Sequence, residues 1–376
     1  MQEKIINILE KLVSYQSITP NDEGCQDFIA NYLQGLGFGI TKKKYDDVDN
    51  LIAKKGFGKP IIAFAGHTDV VPAGDVEKWN SNPFKLTKNK GTVVGRGVAD
   101  MKGSIACMLI AIEHFLDSNP SHNGSIVVVL TSDEEGIAIN GIKKLIEEND
   151  LQKNEIDMCL IGEPTSKKSF GDTIKIGRRG SLSAKVKVLG LQGHIAYPKN
   201  AVNPIHKVIP IINELTNTEY DKGNKFFPPT SFQISNINSG VGVDNIIPGE
   251  LLLNFNFRYS PEITNNKLMS MVEDLFNKHG LNYDISWHHS GEPYLSSQEK
   301  FLDICCDSIK AILKVNPEIS TDGGTSDGRF LAKICNQVIE FGLVNESIHK
   351  INENTKEQDL VLLSKIYEKI LSKSLS

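Results

Sequence analysis

Two short segments carry side chains whose types and spacing suit metal-dependent hydrolysis. In the first, GHTDVVP at residues 66–72, His67 and Asp69 stand two positions apart, directly after an apolar run that ends at Ala65. On an extended chain both side chains point the same way, so Asp69 can accept a hydrogen bond from the His67 ring nitrogen that does not face a metal. Taken alone, the pair is more typical of a turn with an incidental histidine and aspartate.

The second segment, TSDEEG at residues 131–136, places three adjacent acids, Asp133, Glu134 and Glu135, just beyond another apolar run. Ligands of α/β proteins bind at the carboxyl ends of parallel strands. Neighbouring like charges repel, and a bound cation removes that repulsion. Because successive side chains diverge, one carboxylate can bind a metal while its neighbour faces a water. Taken alone, the segment is more typical of a solvated acidic loop or a helix N-terminus.

Three further residues are expected at the same level of the fold, namely Asp100, Glu163 and His349. Individually they have simpler interpretations: a helix N-cap for Asp100, a turn acid before proline for Glu163, and a surface histidine for His349. Together with the two segments above they predict a two-metal site. One carboxylate bridging two ions, with one histidine and one further carboxylate on each, suits zinc or cobalt.

The elements that must position these side chains alternate between strand and helix patterns. Apolar runs at 61–65, 126–130 and 158–161 predict strands buried on both faces, and helices are predicted at 26–36, 104–115 and 141–148. This alternation predicts an α/β sheet covered by helices on both faces. From Gly177 the pattern changes to β-α-β-β-α-β, which is typical of a ferredoxin-like domain. The α/β alternation then resumes and ends in a helix at 357–371.

Length, composition and charge narrow the class of protein. A chain of 376 residues predicts two domains, and 40% hydrophobic with 23% charged residues is ordinary globular usage. The net charge of -5 argues against a nucleic-acid partner. No run of about 18 apolar residues predicts a membrane span, and the N-terminus lacks a signal-peptide pattern. Six scattered cysteines without a CxxC pair predict reduced thiols in a cytoplasmic protein.

Four motifs in this order, GHTDVVPAG, GRGVADMKGS, TSDEEG and GEPTS, resemble the M20 family of dizinc aminoacyl hydrolases and peptidases over essentially the whole chain. The resemblance implies a zinc-peptidase-like catalytic domain with a mixed sheet and helices on both faces, formed by residues 1–178 and 294–376. It also implies an inserted ferredoxin-like α+β domain at residues 179–293, which acts as a lid and carries the interface of a homodimer.

The resemblance also implies a ligand set. His67 and Glu163 would bind one zinc ion, and Glu135 and His349 the other. Asp100 would bridge the pair, with a cis peptide bond to the next residue. The expected cofactor is two Zn²⁺ per subunit, with Co²⁺ as a possible substitute.

Three residues have implied catalytic roles. Glu134 would be the general base, taking a proton from the bridging water and passing it to the leaving amine, and Asp69 would orient the neighbouring metal-binding histidine. His194 would reach the partner subunit's active site and stabilise the oxyanion of the tetrahedral intermediate. Without the resemblance, His194 is more typical of a loop histidine at a turn before proline.

The segments GRRGSL, QGHIAYP, NPIHK, DGGTSDGRF and IHKINE indicate the substrate. Within the family they imply hydrolysis of the amide of N-succinyl-LL-2,6-diaminopimelate to succinate and LL-2,6-diaminopimelate. This small molecule carries three carboxylates, which arginine binds bidentately. Each arginine can instead be a surface or hinge residue. The candidate substrate-binding residues are Arg178, Arg179, Tyr197, Asn245, Arg258, Gly324, Thr325 and Arg329.

Two other functions are compatible with the same motifs. One is a different M20 hydrolase, such as an acetylornithine deacetylase, an aminoacylase or a dipeptidase, because specificity depends on a few contacts. The other is a catalytically silent dimeric binding protein on the same fold. Loss of a ligand or of the base would indicate the latter, and all of these residues are present. Asp244 stands where an uncharged residue is expected, beside Asn245.

Overall fold

The computed structural model describes residues 1–153, 155–297 and 299–375. Within them the chain forms helices and strands that we number in chain order. The helices are α1 Gln2–Ser14, α2 Cys25–Gly35, α3 Lys102–Ser118, α4 Ile142–Glu147, α5 Pro204–Asn217, α6 Asn265–Lys278, α7 Lys300–Leu313, α8 Gly328–Leu331 and α9 Glu357–Ser374. The strands are β1 Gly39–Tyr45, β2 Val48–Phe57, β3 Ile61–His67, β4 Thr87–Asn89, β5 Thr92–Val94, β6 Gly124–Thr131, β7 Met158–Ile161, β8 Thr173–Lys175, β9 Gly177–Arg178, β10 Gly180–Leu189, β11 Gly193–His194, β12 Ser231–Ser239, β13 Ile246–Ile247, β14 Glu250–Tyr259, β15 Asn282–Gly291, β16 Tyr294–Leu295, β17 Glu318–Ser320, β18 Val338–Glu340 and β19 Asn354–Lys356.

The largest sheet has eight strands in the order β1-β2-β6-β3-β7-β18-β8-β17. Its centre is parallel, since β3 pairs in parallel with both β6 and β7, and β7 with β18. On one side β2 runs antiparallel to β6, so the sheet is mixed. Every residue of β3, β6 and β7 is buried, which explains why these strands are mainly apolar rather than alternating.

Helices cover this sheet in separate groups. Helices α1, α3, α7 and α9 pack on one another, α4 packs on α8, and α2 packs on β1 and β2. In α1 the packing follows from the sequence, because its apolar residues recur at helical spacing and form one buried face. The buried residues of α1 are Ile5, Ile6, Ile8, Leu9, Leu12 and Val13.

A second sheet has four antiparallel strands in the order β12-β14-β10-β15. With α5 and α6 these strands complete a β-α-β-β-α-β unit in which the first strand lies between the third and the fourth. This is the ferredoxin-like arrangement that the sequence pattern predicts. Alternate residues of β10 and β14, such as Val186, Leu253 and Phe255, pack with Val208 of α5 and Leu268 of α6 in one core.

The chain folds into two units. The first comprises Met1–Gly177, Leu295–Ser320 and Ser326–Ser376, and the second comprises Arg178–Tyr294 with Thr321–Thr325. The sequence contains no pattern that assigns 321–325 to the second unit. Among the described residues, no helix combines the length and apolarity that crossing a membrane requires.

Candidate dimetal active site

Four of the predicted site residues lie at or just beyond the ends of adjacent parallel strands in the first unit. His67 is the last residue of β3. Glu134 and Glu135 follow β6, and Glu163 follows β7. Because β3 lies between β6 and β7 and all three run in parallel, their carboxyl ends meet at one edge of the sheet. This edge is where open α/β sheets bind ligands.

Asp100 joins the two histidines. Its Oδ1 lies 3.2 Å from Nε2 of His67, and its Oδ2 lies 3.3 Å from Nε2 of His349. Nε2 of His349 also lies 2.9 Å from Oε1 of Glu135, and Nε2 of His67 lies 3.6 Å from Oε1 of Glu163. Each histidine therefore faces one oxygen of Asp100 and one further carboxylate, which is the arrangement of a bridged pair of metal sites.

The backbone around Asp100 is held by the next residue, Met101. The peptide bond between them is cis, as the resemblance implies. The main-chain N–H of His67 faces Sδ of Met101 at 3.4 Å. A Cβ atom at Gly66 or at Gly162 would overlap the end of the Met101 side chain. The glycines that precede His67 and Glu163 in their motifs therefore leave the space that this methionine fills.

Asp69 contacts both His67 and the acidic segment that follows β6. Nδ1 of His67 lies 2.8 Å from the main-chain oxygen of Asp69, which is closer than its Oδ1 at 3.5 Å. The Asp69 carboxylate instead accepts hydrogen bonds from the main-chain N–H groups of Glu134, at 3.4 Å, and Glu135, at 3.1 Å. Asp69 is therefore placed to orient the His67 ring through its backbone and the two glutamates through its side chain.

Burial and crowding of like charges make the site attractive to cations. Burial raises the pKa of Glu134 and of Glu163 well above the ordinary value, and neighbouring carboxylates raise both further. Burial likewise raises the pKa of Glu135. Each of these shifts reflects an unfavourable negative charge, which a divalent cation would compensate.

The pKa values of the two histidines are also raised, which for an imidazole favours the charged form. Burial on its own lowers the pKa of His67, but the side-chain carboxylates of Asp100, Asp69 and Glu163 together outweigh it and raise the pKa well above the usual value. Hydrogen bonds with Asp100 and Glu135 raise the pKa of His349 to about 10. Both shifts reflect the negative charge that the surrounding carboxylates concentrate on the imidazoles, which a divalent cation would compensate.

The donor set fits divalent zinc or cobalt. His67, Asp100 and Glu135 form one group whose ligand atoms lie within 4.8 Å of one another. His67, Glu134 and Glu163 form a second such group. Imidazole and carboxylate are the ligands that these ions accept. The second group contains Glu134, the residue predicted as general base, which therefore lies within reach of the same ion as His67 and Glu163.

Arg329, predicted to bind substrate, lies against the predicted base. Its Nη1 lies 3.9 Å from Oε1 of Glu134 and donates a hydrogen bond to the main-chain oxygen of Ser326 at 2.9 Å. Beside it, burial raises the pKa of Asp327 to about 7. Sequence reasoning did not single out Asp327, although it belongs to the quoted DGGTSDGRF segment.

The second unit holds the other predicted site residues. His194 ends β11, and its main-chain oxygen accepts a hydrogen bond from the N–H of Tyr197 at 2.9 Å. The two rings lie 5.7 Å apart between centroids, and both side chains are exposed. Ile195 donates a main-chain hydrogen bond to Asn245 at 3.2 Å. The structure therefore brings His194, Tyr197 and Asn245 into one loop cluster.

The remaining candidates are spread over other parts of the second unit. Nη1 of Arg178 donates to the main-chain oxygens of Asp322, at 3.4 Å, and Gly324, at 3.3 Å, so Arg178 contacts the segment that also contains Thr325. The other two arginines lie elsewhere. Arg179 donates to Oγ of Ser231 at 3.3 Å, and Arg258 is the penultimate residue of β14.

A buried acid beside the site was also missed. Glu353 is 1% exposed and binds the side chain of Arg96, 2% exposed, at 2.8 Å. It ends the IHKINE segment, four residues after His349. Glu353 could have been singled out from the sequence, because it and Arg96 each lie in a motif that also contains a predicted ligand.

Comparison with known proteins establishes the family. A model of peptidase family M20/M25/M40 matches residues 63–373, and the chain belongs to this family. It is therefore a metal-dependent hydrolase of the M20 type. The chain is 49% identical over 368 residues to a succinyl-diaminopimelate desuccinylase of Nitrosospira multiformis, covering 98% of this chain and 97% of that protein. It is 48% identical over 376 residues to a succinyl-diaminopimelate desuccinylase of Pseudoalteromonas atlantica, covering 100% of both.

Solved structures share the fold at low sequence identity. An M20 family metallo-carboxypeptidase from Sulfolobus solfataricus superposes with a TM-score of 0.84 at 20% identity, covering 98% of each chain. A dinuclear metal binding M20 peptidase from Bacillus subtilis gives a TM-score of 0.74 at 15% identity, covering 100% of this chain and 98% of that one. These structures support the predicted fold class, a mixed α/β sheet with an inserted α+β domain.

Proposed function

We propose that this chain hydrolyses the amide bond of N-succinyl-LL-2,6-diaminopimelate and releases succinate and LL-2,6-diaminopimelate. The observation that carries the reaction class is the convergence of two imidazoles on Asp100, with Glu163 beside His67 and Glu135 beside His349. The choice of substrate rests on the relatives named succinyl-diaminopimelate desuccinylase, which match over nearly the whole length of the chain. The product places the enzyme in lysine and diaminopimelate biosynthesis.

The proposed cofactor is a pair of Zn²⁺ ions, for which Co²⁺ can substitute. His67 and Glu163 would hold one ion, Glu135 and His349 would hold the other, and Asp100 would contact both. When bound, such ions polarise the substrate carbonyl and lower the pKa of a water molecule. The approach of His67 and His349 to opposite oxygens of Asp100 supports this division of ligands.

Glu134 is the proposed general base. It takes the proton of the attacking water and delivers it to the nitrogen of the leaving amine as the carbon–nitrogen bond breaks. Burial raises the pKa of Glu134 well above its usual value, which makes this carboxylate a stronger base. Its backbone N–H faces the Asp69 carboxylate, and Arg329 lies 3.9 Å from its side chain.

The second unit is proposed to form the homodimer and to complete the active site. In this arrangement the partner subunit's His194 donates a hydrogen bond to the developing oxyanion. Arg178, Arg258 and Arg329 are proposed to bind substrate carboxylates, since guanidinium groups match carboxylates bidentately. The clustering of Asn245 and Tyr197 with His194 supports a shared role in substrate contact.

The cytoplasm is the proposed location. All six cysteines are free thiols, and five of them are buried. Free buried thiols are typical of proteins in a reducing compartment.

A parallel assay tests the substrate. We expect the zinc-loaded protein to hydrolyse N-succinyl-LL-2,6-diaminopimelate with a kcat/KM at least about 100-fold above that for N-acetylornithine, because a substrate without the succinyl carboxylate forgoes the charge-assisted hydrogen bonds that the proposed arginines would donate to it. Succinate release is followed by a coupled assay. Equal rates, or a preference for N-acetylornithine, would contradict the proposed specificity and leave the dimetal hydrolase intact.

A further inference from the structure

Glu353 is a buried carboxylate, and among the described residues its side chain accepts hydrogen bonds from the segment that carries Asp100. Its Oε1 accepts from the main-chain N–H groups of Ala99, at 2.8 Å, and Asp100, at 3.0 Å. Its Oε2 accepts from the N–H of Gly97, at 2.9 Å, and from Nη1 of Arg96, at 2.8 Å. A single side chain thus fixes the backbone of three residues in the turn that ends at a predicted metal ligand.

The same contacts also hold the segment that carries His349. Strand β19 pairs antiparallel with β5, and the N–H of Gly95 donates to the main-chain oxygen of Glu353 at 3.0 Å. Nη1 of Arg96 donates to the main-chain oxygen of Lys350 at 3.2 Å, one residue after His349. The turn 95–100 and the loop 349–353 are therefore joined by buried, charge-assisted hydrogen bonds.

We propose that Glu353, together with Arg96, is a positioning residue that sets the geometry of Asp100 and His349 and thereby the affinity for the ion shared by Asp100, Glu135 and His349. This inference rests on the metal-dependent function proposed above. Groups that orient metal ligands through hydrogen bonds typically change metal affinity by about 10- to 100-fold when replaced.

The two ions are expected to respond unequally. Two of the three ligands of one ion, Asp100 and His349, lie on segments that Glu353 joins. Of the ligands of the other ion, only Asp100 lies on one of these segments, because His67 ends β3 and Glu163 follows β7. Weakening the junction should therefore affect mainly the ion bound through His349.

The test compares Glu353→Gln with Asp172→Asn in the full-length chain. Asp172 is a matched control, since its carboxylate also accepts three main-chain hydrogen bonds, from residues 167 to 169, but it lies outside the proposed ligand set and the segments that carry it. Each metal-free protein is titrated with Co²⁺ by calorimetry, and the visible absorption spectrum is recorded at each addition. Circular dichroism verifies folding.

We expect the wild type and Asp172→Asn to bind two Co²⁺ ions with the same affinities. Glu353→Gln should bind one ion nearly as tightly as the wild type and the other about 10- to 100-fold more weakly, with an altered cobalt spectrum. Arg96→Lys is measured in parallel, so that the proposal can still be tested if Glu353→Gln does not fold. In this variant Glu353 keeps its three main-chain donors. Arg96→Lys should weaken the same ion to a smaller extent.

Unchanged affinities and spectra in Glu353→Gln and Arg96→Lys would overturn the inference. An equal loss of both ions in these variants and in Asp172→Asn would also overturn it, because it would indicate general destabilisation. A wild-type chain that binds no Co²⁺ would overturn the proposed function itself, and the inference with it.

Discussion

Glu134→Gln is expected to lower kcat by about 100- to 10,000-fold and to leave two metal ions bound. The amide matches the volume of the carboxylate but cannot accept the proton of the attacking water. Glu134→Ala should have the same effect. Initial rates with the succinylated substrate measure the loss in kcat, and elemental analysis of the dialysed protein measures the metal content.

The neighbouring residue supplies the matched comparison. Glu135 is the proposed ligand beside Glu134, with Oε1 2.9 Å from Nε2 of His349, so Glu135→Gln should weaken the binding of one ion. The comparison is decisive because Glu134 lies in a possible ligand group with His67 and Glu163. Loss of metal from Glu134→Gln would make Glu134 a ligand and contradict its role as the base.

Asp100→Asn should have the largest effect on metal content. Each carboxylate oxygen of Asp100 faces a different histidine, and an amide offers one oxygen and an N–H₂ group that repels a cation. We expect the affinity for both ions to fall by at least about 100-fold and activity to fall to background. Titration of the metal-free variant with Zn²⁺ measures the affinity.

Asp133→Asn serves as its control. Asp133 belongs to the same acidic segment as the two glutamates, but its Oδ2 accepts hydrogen bonds from the main-chain N–H groups of Ile139 and Asn140, at 2.9 and 3.1 Å. The Asp133→Asn variant should retain both ions. An Asp100→Asn variant that also retains both ions with unchanged affinity would exclude Asp100 as the bridge.

The central strands could be predicted from sequence because burial on both faces leaves a strong local signal. The apolar runs at 61–65, 126–130 and 158–161 correspond to β3, β6 and β7. The positions of His67, Glu134 and Glu163 relative to these strands follow from the same signal. The ferredoxin-like unit could be predicted for a similar reason, since its strands alternate and its helices have the period of one buried face.

The edge of the sheet gave no comparable signal. Strand β1, with the sequence GITKKKY, is largely exposed and carries three consecutive lysines, which are typical of an edge strand protected against further pairing. Such a strand is specified by its pairing with β2 rather than by local hydrophobicity. The same limit applies to the short pairing of β5 with β19, which joins residues far apart in sequence.

Contacts made through the backbone could not be predicted from the sequence either. Sequence spacing predicts that Asp69 and His67 are close, but whether the ring faces the carboxylate or the main-chain oxygen depends on torsion angles. Glu353 illustrates the point further, because three of its four partners are main-chain N–H groups, which carry no signature in the sequence.

The central claim is that this chain needs two metal ions, held around Asp100, to hydrolyse a succinyl amide. The most direct measurement is a titration of the metal-free protein with Zn²⁺ in which hydrolysis of N-succinyl-LL-2,6-diaminopimelate and bound metal are followed together. Activity absent from the metal-free protein, and restored as up to two ions bind per chain, is the predicted result. Full activity without metal, or no stoichiometric binding of divalent ions, would contradict the account.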